Sequence, residues 1–200
     1  MPIRYLALGD SYTIGTAVAE EERWPNQLAD RLRAQGLQVD VTIIAHNGWT
    51  TDELWQGIRE QNPQPPFDMV SLLIGVNNQY RGYDIEQYRR QFANLLSEAI
   101  EYASGDPTRV FVLSIPDWGV TPFAEGRDRA QIAKEIDAFN AVNREEALRA
   151  GVRYVDVTPA SRQAANDPSL IAGDGLHPSG KMYAAWVDLA LPIVMNMLGW

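Results

Sequence analysis

The chain contains no cysteine and only two histidines in 200 residues. The first absence removes thiol catalysis, iron–sulfur ligation, cysteine-type zinc sites and disulfides, and leaves the redox compartment undecided. The second leaves His46 and His177 far apart, with no His-x-x-x-His pairing, so a histidine-based metal site lacks ligands, while an all-carboxylate site stays open but without support. Positive charge is also scarce: 17 Lys and Arg face 26 Asp and Glu, a net charge of -9 with a pI near 4.7. Such a surface repels phosphate backbones and anionic lipid, which argues against nucleic acid as a partner. Low-complexity tracts, repeats and linkers are missing as well. With 46% hydrophobic and 22% charged residues, the composition is that of a folded globular protein.

Only one long apolar stretch occurs, Met182–Trp200. It carries Asp188, Pro192 and Asn196, and a central Asp alone costs about 2.5–3.5 kcal/mol in a bilayer. The stretch therefore reads as a terminal helix packed on the core, not a membrane insertion. Met1–Leu8 offers one Arg and a very short apolar run, too little for a secretory signal, so the expected location is cytoplasmic. Nothing in the sequence bears on oligomeric state.

Short, nearly continuous runs rich in Val, Ile and Leu occur at Ile3–Leu8, Val39–Ala45, Met69–Ile74, Val110–Ile115 and Val152–Val157. Each reads as a strand buried on both faces. Between them, apolar residues recur at helical spacing in Trp24–Gln35, Thr51–Gln61, Ile85–Ala103 and Asp128–Ala150, and a further helix should follow Pro178. Regular alternation of strand and helix predicts an α/β fold: a three-layer α/β/α sandwich on a five-stranded parallel sheet, flavodoxin-like. At about 100–200 residues per domain, residues 1–200 are expected to form one.

In such open sheets, ligands bind beyond the carboxyl ends of the strands. Those ends carry Gly9-Asp10-Ser11-Tyr12-Thr13, His46-Asn47-Gly48-Trp49-Thr50, Gly75-Val76-Asn77-Asn78, Pro116-Asp117-Trp118-Gly119 and, after the fifth strand, Asp174-Gly175-Leu176-His177-Pro178. Serine is a poor nucleophile unless an imidazole takes its proton and a third group orients the imidazole. Ser11, His177 and Asp174 supply one of each. Asp174 lies three residues before His177, so one turn of chain can bring its carboxylate to the ring. The oxyanion of an acyl-transfer intermediate needs preset donors, for which the Ser11 and Gly48 backbone N–H groups and the Asn77 side-chain amide are candidates. Asp10 is expected to cap a turn and His46 to be structural or pocket-lining. Trp49, Tyr80, Trp118 and Phe123 are expected to pack in the core or at the rim, with one or two lining an acyl or sugar pocket.

Together these blocks resemble the GDSL or SGNH hydrolases, serine esterases and lipases on a three-layer α/β/α sandwich. Gly9-Asp10-Ser11-Tyr12 is similar to their first block, with Tyr where Leu is usual. Gly48 is similar to the second block's oxyanion glycine and Asn77 to the third block's oxyanion asparagine. Asp174-Gly175-Leu176-His177-Pro178 is similar to the last block, with the acid at Asp174 and the base at His177. One departure is Asn78, which stands where an Asp commonly follows the catalytic Asn. Being isosteric, it affects the geometry of its loop more than activity. The resemblance implies hydrolysis of a small-molecule ester through an acyl-enzyme on Ser11, without cofactor. Carbohydrate O-deacetylase, thioesterase and lysophospholipase activities use the same triad.

Competing functions account for fewer residues. An α/β-hydrolase needs a Gly-x-Ser-x-Gly elbow, which Ser11 lacks. A flavodoxin-like FMN electron carrier would use Ser11–Thr16 as a phosphate loop but leaves Asp174 and His177 without a role. A non-catalytic binding module on the same fold would contain no activated serine.

Overall fold

A computed structural model describes all residues, 1–200. The strands are β1 (Ile3–Gly9), β2 (Val39–Ala45), β3 (Met69–Leu73), β4 (Val110–Leu113) and β5 (Arg153–Val155). They form one parallel sheet in the order β2-β1-β3-β4-β5. The central strands β3 and β4 are buried throughout, because helices cover both faces. The edge strands depart from the expected two-faced burial. In β2, Asp40 and Thr42 are exposed, and β5 shortens to Arg153–Val155 because the Asp156 carboxylate turns back to accept from Ser114 Oγ and Thr158 N–H.

Helices α1 (Ser11–Ile14), α2 (Trp24–Ala34), α3 (Thr51–Gln61), α4 (Val76–Tyr80), α5 (Ile85–Tyr102), α6 (Arg129–Arg149), α7 (Thr158–Arg162) and α8 (Gly180–Met197) complete the chain. Helix α2 packs on α8, while α5 packs on both α3 and α6. Right-handed crossovers in this strand order put α2 and α8 on one face and α3, α5 and α6 on the other. Forty-nine buried apolar residues form one cluster on and between these layers.

Helix α8 contains most of the Met182–Trp200 stretch. Tyr183, Trp186, Val187, Ala190 and Val194 are buried at three- to four-residue spacing, while Asp188 faces outward to pair with Arg31 at 2.9 Å. No helix is long and apolar enough to cross a membrane. The strand order reverses direction between β1, whose chain leaves toward β2, and β3, whose chain leaves toward β4. Such a switch point opens a crevice at the carboxyl ends of the two strands. Ser11 follows β1, and Asn77 follows β3.

Candidate active site

Ser11 is the first residue of α1, immediately beyond the Gly9-Asp10 turn that ends β1. Asp10 caps this turn: its Oδ1 accepts from Tyr12 N–H at 3.0 Å. Its own carboxyl is completely buried and its Oδ2 has no hydrogen-bond partner. Burial pushes the Asp10 pKa up to about 7, against the lowering effect of backbone hydrogen bonds. The expected structural role for Asp10 therefore takes the form of an N-cap. Tyr12 lies edge-on to His177, with ring centroids 5.8 Å apart.

The Asp174-x-x-His177 spacing works through backbone and side chain together. Asp174 Oδ1 accepts from the N–H groups of Leu176 and His177, both at 3.0 Å, and its Oδ2 meets His177 Nδ1 at 2.5 Å. Although partial burial raises the Asp174 pKa, these hydrogen bonds and the facing imidazole outweigh it and hold the carboxyl below its ordinary value. The loop is pinned at its base by Ala172 N–H donating to the His177 carbonyl at 2.8 Å. His177 is 8% exposed, and of its ring nitrogens only Nδ1 is hydrogen-bonded, which leaves Nε2 uncommitted. His177 and Ser11 line the same cleft of about 250 Å³, and no hydrogen bond joins them. Such bonds are commonly long in a free enzyme and tighten around substrate.

Gly48 and Asn77 line this cleft too. Gly48 has φ +86, a left-handed conformation that a side chain would strain. Gly75, ahead of α4, has φ +129, and a Cβ there would come within 2.3 Å of the Tyr88 hydroxyl. Neither the Ser11 N–H nor the Gly48 N–H donates a hydrogen bond to any group of the protein. The Asn77 amide donates to the Trp49 carbonyl at 2.8 Å, which orients it and leaves its second proton uncommitted. Asn78 points elsewhere. Its Oδ1 accepts from Thr51 N–H at 3.1 Å and its Nδ2 donates to Thr51 Oγ1 at 2.8 Å.

His46 is exposed and stacks on Trp49, 5.4 Å between centroids, outside the cleft lining. Trp49 itself packs over Gly57, where a Cβ would collide with its ring at 2.2 Å. Tyr80, Trp118 and Phe123 do line the cleft, three aromatics where one or two were expected. Tyr12, Asn47, Val76 and Leu176 complete the lining and were not singled out as pocket residues, although each neighbours a motif residue in the chain. Arg127, stacked on Tyr80, Trp118 and Phe123 at 5.2–5.4 Å, carries no local sequence signal at all.

The sequence profile of the GDSL-like lipase/acylhydrolase family matches residues 7–185. No curated protein matches the chain in sequence. Among solved structures, the chain is similar to a lipolytic G-D-S-L protein from Veillonella parvula (TM-score 0.73, 18% identity, 97% of this chain and 99% of that one). It is also similar to the psychrotrophic esterase EstA from Pseudoalteromonas (TM-score 0.76, 15% identity, 98% and 99% covered). A third likeness is to an acetyl-xylooligosaccharide esterase from Geobacillus (TM-score 0.69, 20% identity, 99% and 94% covered). At these identities the likenesses speak for the fold, and the profile match over most of the chain speaks for the family. The chain belongs to the GDSL-like lipase/acylhydrolase family and is a carboxylic ester hydrolase.

Proposed function

We propose that this hydrolase works through an acyl-enzyme on Ser11, with His177 as general base and then general acid, and Asp174 as the group that orients the imidazole. His177 Nε2 takes the hydroxyl proton as Ser11 Oγ attacks the ester carbon. The carbonyl π electrons move onto oxygen. When the tetrahedral intermediate collapses, the C–O bond to the alcohol breaks and His177 returns its proton to the leaving oxygen. Water then repeats the sequence on the acyl-enzyme, releasing the carboxylic acid and restoring Ser11.

The observation that carries this reading is the set of uncommitted donors around the serine. Two backbone N–H groups, Ser11 and Gly48, have no partner in the protein, and Asn77 has one amide proton to spare beside them. Leaving such groups unpaired costs about 1–3 kcal/mol each where water is excluded, and an oxyanion is a ligand that would repay them. The short Asp174 to His177 contact supplies the orienting half of a triad.

A fluorophosphonate ester tests the assignment, because it phosphonylates only an activated serine. The wild-type protein should gain one label, at Ser11, and lose esterase activity in step. Ser11→Ala should keep its thermal transition, take no label and hydrolyse no ester. Labelling at another serine, or substantial turnover by folded Ser11→Ala, would remove the mechanism.

A further inference from the structure

The cleft has a walled side. Beyond Asn77, the rings of Tyr80, Trp118 and Phe123 form a triangle with centroids 5.5–6.3 Å apart. Trp118 is the inner member, 4% exposed, whereas Tyr80 and Phe123 stand at the rim. The Trp118 indole N–H is already committed. It donates to Gln79 Oε1 at 2.8 Å, and Gln79 Nε2 in turn donates to Glu135 Oε2 at 2.7 Å. Its backbone is held as well, since the Trp118 carbonyl accepts from Thr121 Oγ1 at 2.7 Å. Phe123 N–H donates to the Gly175 carbonyl at 3.0 Å, tying this wall to the Asp174–His177 loop. Arg127 stacks on all three rings and donates to the Tyr80 hydroxyl. The wall is thus fixed by hydrogen bonds to Gln79, Thr121, Gly175 and Arg127, and its three aromatic rings line the cleft.

Behind Trp118 lies a second, separate void of about 20 Å³. Tyr12, Trp118, Leu176 and His177 line both spaces and so form the partition between them. The open cleft, at about 250 Å³, is smaller than the ~300–1,000 Å³ of pockets that hold drug-sized ligands. During the reaction the alcohol must be free to leave, but the acyl group stays attached to Ser11 until water arrives. A walled, apolar end suits the group that stays.

We infer that Trp118 closes the acyl end of the cleft and restricts this enzyme to short, unsubstituted acyl groups such as acetyl to butyryl, with Phe123 bounding the same space at the rim. This deepens the acyl-enzyme reading above and rests on it. A longer chain meets the Trp118 ring, which cannot turn aside without breaking its bond to Gln79. Sugar hydroxyls find no free indole donor on that wall.

The test is a set of p-nitrophenyl acetate, butyrate and octanoate esters, with a second set of acetates of increasing alcohol size. Because one methylene of misfit in a pocket changes rate by about 10–200-fold, the wild-type specificity constant should fall at least about 100-fold from butyrate to octanoate. The alcohol series should stay nearly level. Trp118→Ala should raise the octanoate to acetate ratio by about 10-fold or more by joining the cleft to the void, and Trp118→Phe, which keeps most of the bulk, should preserve short-chain preference. If Trp118→Ala does not fold, Phe123→Ala decides the matter: its exposed ring can be removed without opening the core, and the same ratio should rise severalfold. Octanoate hydrolysed as well as acetate by the wild type, a steep alcohol series with a level acyl series, or an unchanged ratio in the folded variants would overturn the inference while leaving the acyl-enzyme in place. No hydrolysis of any ester and no phosphonylation of Ser11 would remove both.

Discussion

Asn78 shows how one atom substituted for another reorganises a loop. Its amide N–H donates to Thr51 Oγ1, and that hydroxyl passes its own proton to Gln91 Oε1 at 2.6 Å. A carboxylate at position 78 would have no proton to give, so the Thr51 hydroxyl would turn toward it and leave Gln91. The asparagine, Thr51 and Gln91 therefore suit one another as a set, and the Asn78 carbonyl satisfies the first N–H of α3. Adjacent asparagines are thus expected to fail in different ways. Asn78→Ala leaves a buried N–H without a partner and should cost about 1–3 kcal/mol of stability, with a smaller effect on turnover. In the mechanism proposed above Asn77 serves the oxyanion, so Asn77→Ala should lower kcat by about 10²–10³ with little change in KM. Measuring kcat, KM and Tm for both variants checks this, and the opposite pattern would mean that the oxyanion donor is Asn78. Asp10 gives a second test. Its carboxyl ionises near pH 3.8 in the unfolded chain and about 7 in the folded one. The folded state holds the proton more tightly, so the stabilising contribution is complete below about pH 3.8 and is lost as pH rises through 7, amounting to about 4 kcal/mol. Asp10→Asn keeps an acceptor for Tyr12 N–H but cannot titrate. Urea midpoints from pH 4.5 to 8 should show the wild type losing stability relative to this variant as pH rises, and parallel profiles would contradict it.

At the scale of elements, helix α8 links the core to the site. Its N-cap, Ser179, lies two residues after His177, and its buried face carries Trp186, fully enclosed against Tyr183 and Tyr12. Trp186→Ala should cost about 3–5 kcal/mol and lower activity as well, because the segment holding His177 loses its support. Asp188→Ala, which breaks an exposed pair with Arg31, should change stability by less than about 1 kcal/mol. Urea unfolding of the two variants measures both. The longer helices were legible in the sequence because eleven or more residues display the 3.6-residue period; Thr51–Gln61 has the expected bounds, and Asp128 and Ala150 prove to be the caps of α6. Helices α1, α4 and α7, of four or five residues, cannot show a period; the first two were absorbed into the loops that carry Ser11 and Asn77, and the third into the long connection after β5. Strand β5 was overread because Val152 and Val157 are buried outside the ladder. The motif residues were legible for a different reason: each needs a particular side chain or a glycine, with Ser11, Gly48 and Asn77 within a few residues of a strand end and Asp174 and His177 in the loop that leads into α8. Pocket walls have no such constraint, which is why Arg127 and Gln79 become visible only when the loops after β3 and β4 are placed side by side.

At the scale of the whole molecule, the fold collects short segments from five strand ends at one crevice, and the surrounding surface sets what reaches it. A net charge of -9 gives the protein a negative field whose reach depends on salt, about 30 Å at 0.01 M and about 10 Å at 0.1 M. A neutral ester does not feel this field. An ester carrying a carboxylate on its alcohol is depleted near the crevice at low salt, and one carrying a quaternary ammonium is enriched. With the acyl group held constant as butyrate, kcat/KM for the anionic ester should therefore rise severalfold as salt increases from about 10 to 300 mM, that for the cationic ester should fall, and that for the neutral ester should stay level. The acyl group is the same in all three, so any divergence belongs to approach and not to acyl fit. Identical salt responses would mean that cations at the cleft, Arg81 bound to the Gly48 carbonyl and Arg127 on the aromatic wall, cancel the field where substrate enters, and that the acidic surface has no part in substrate selection.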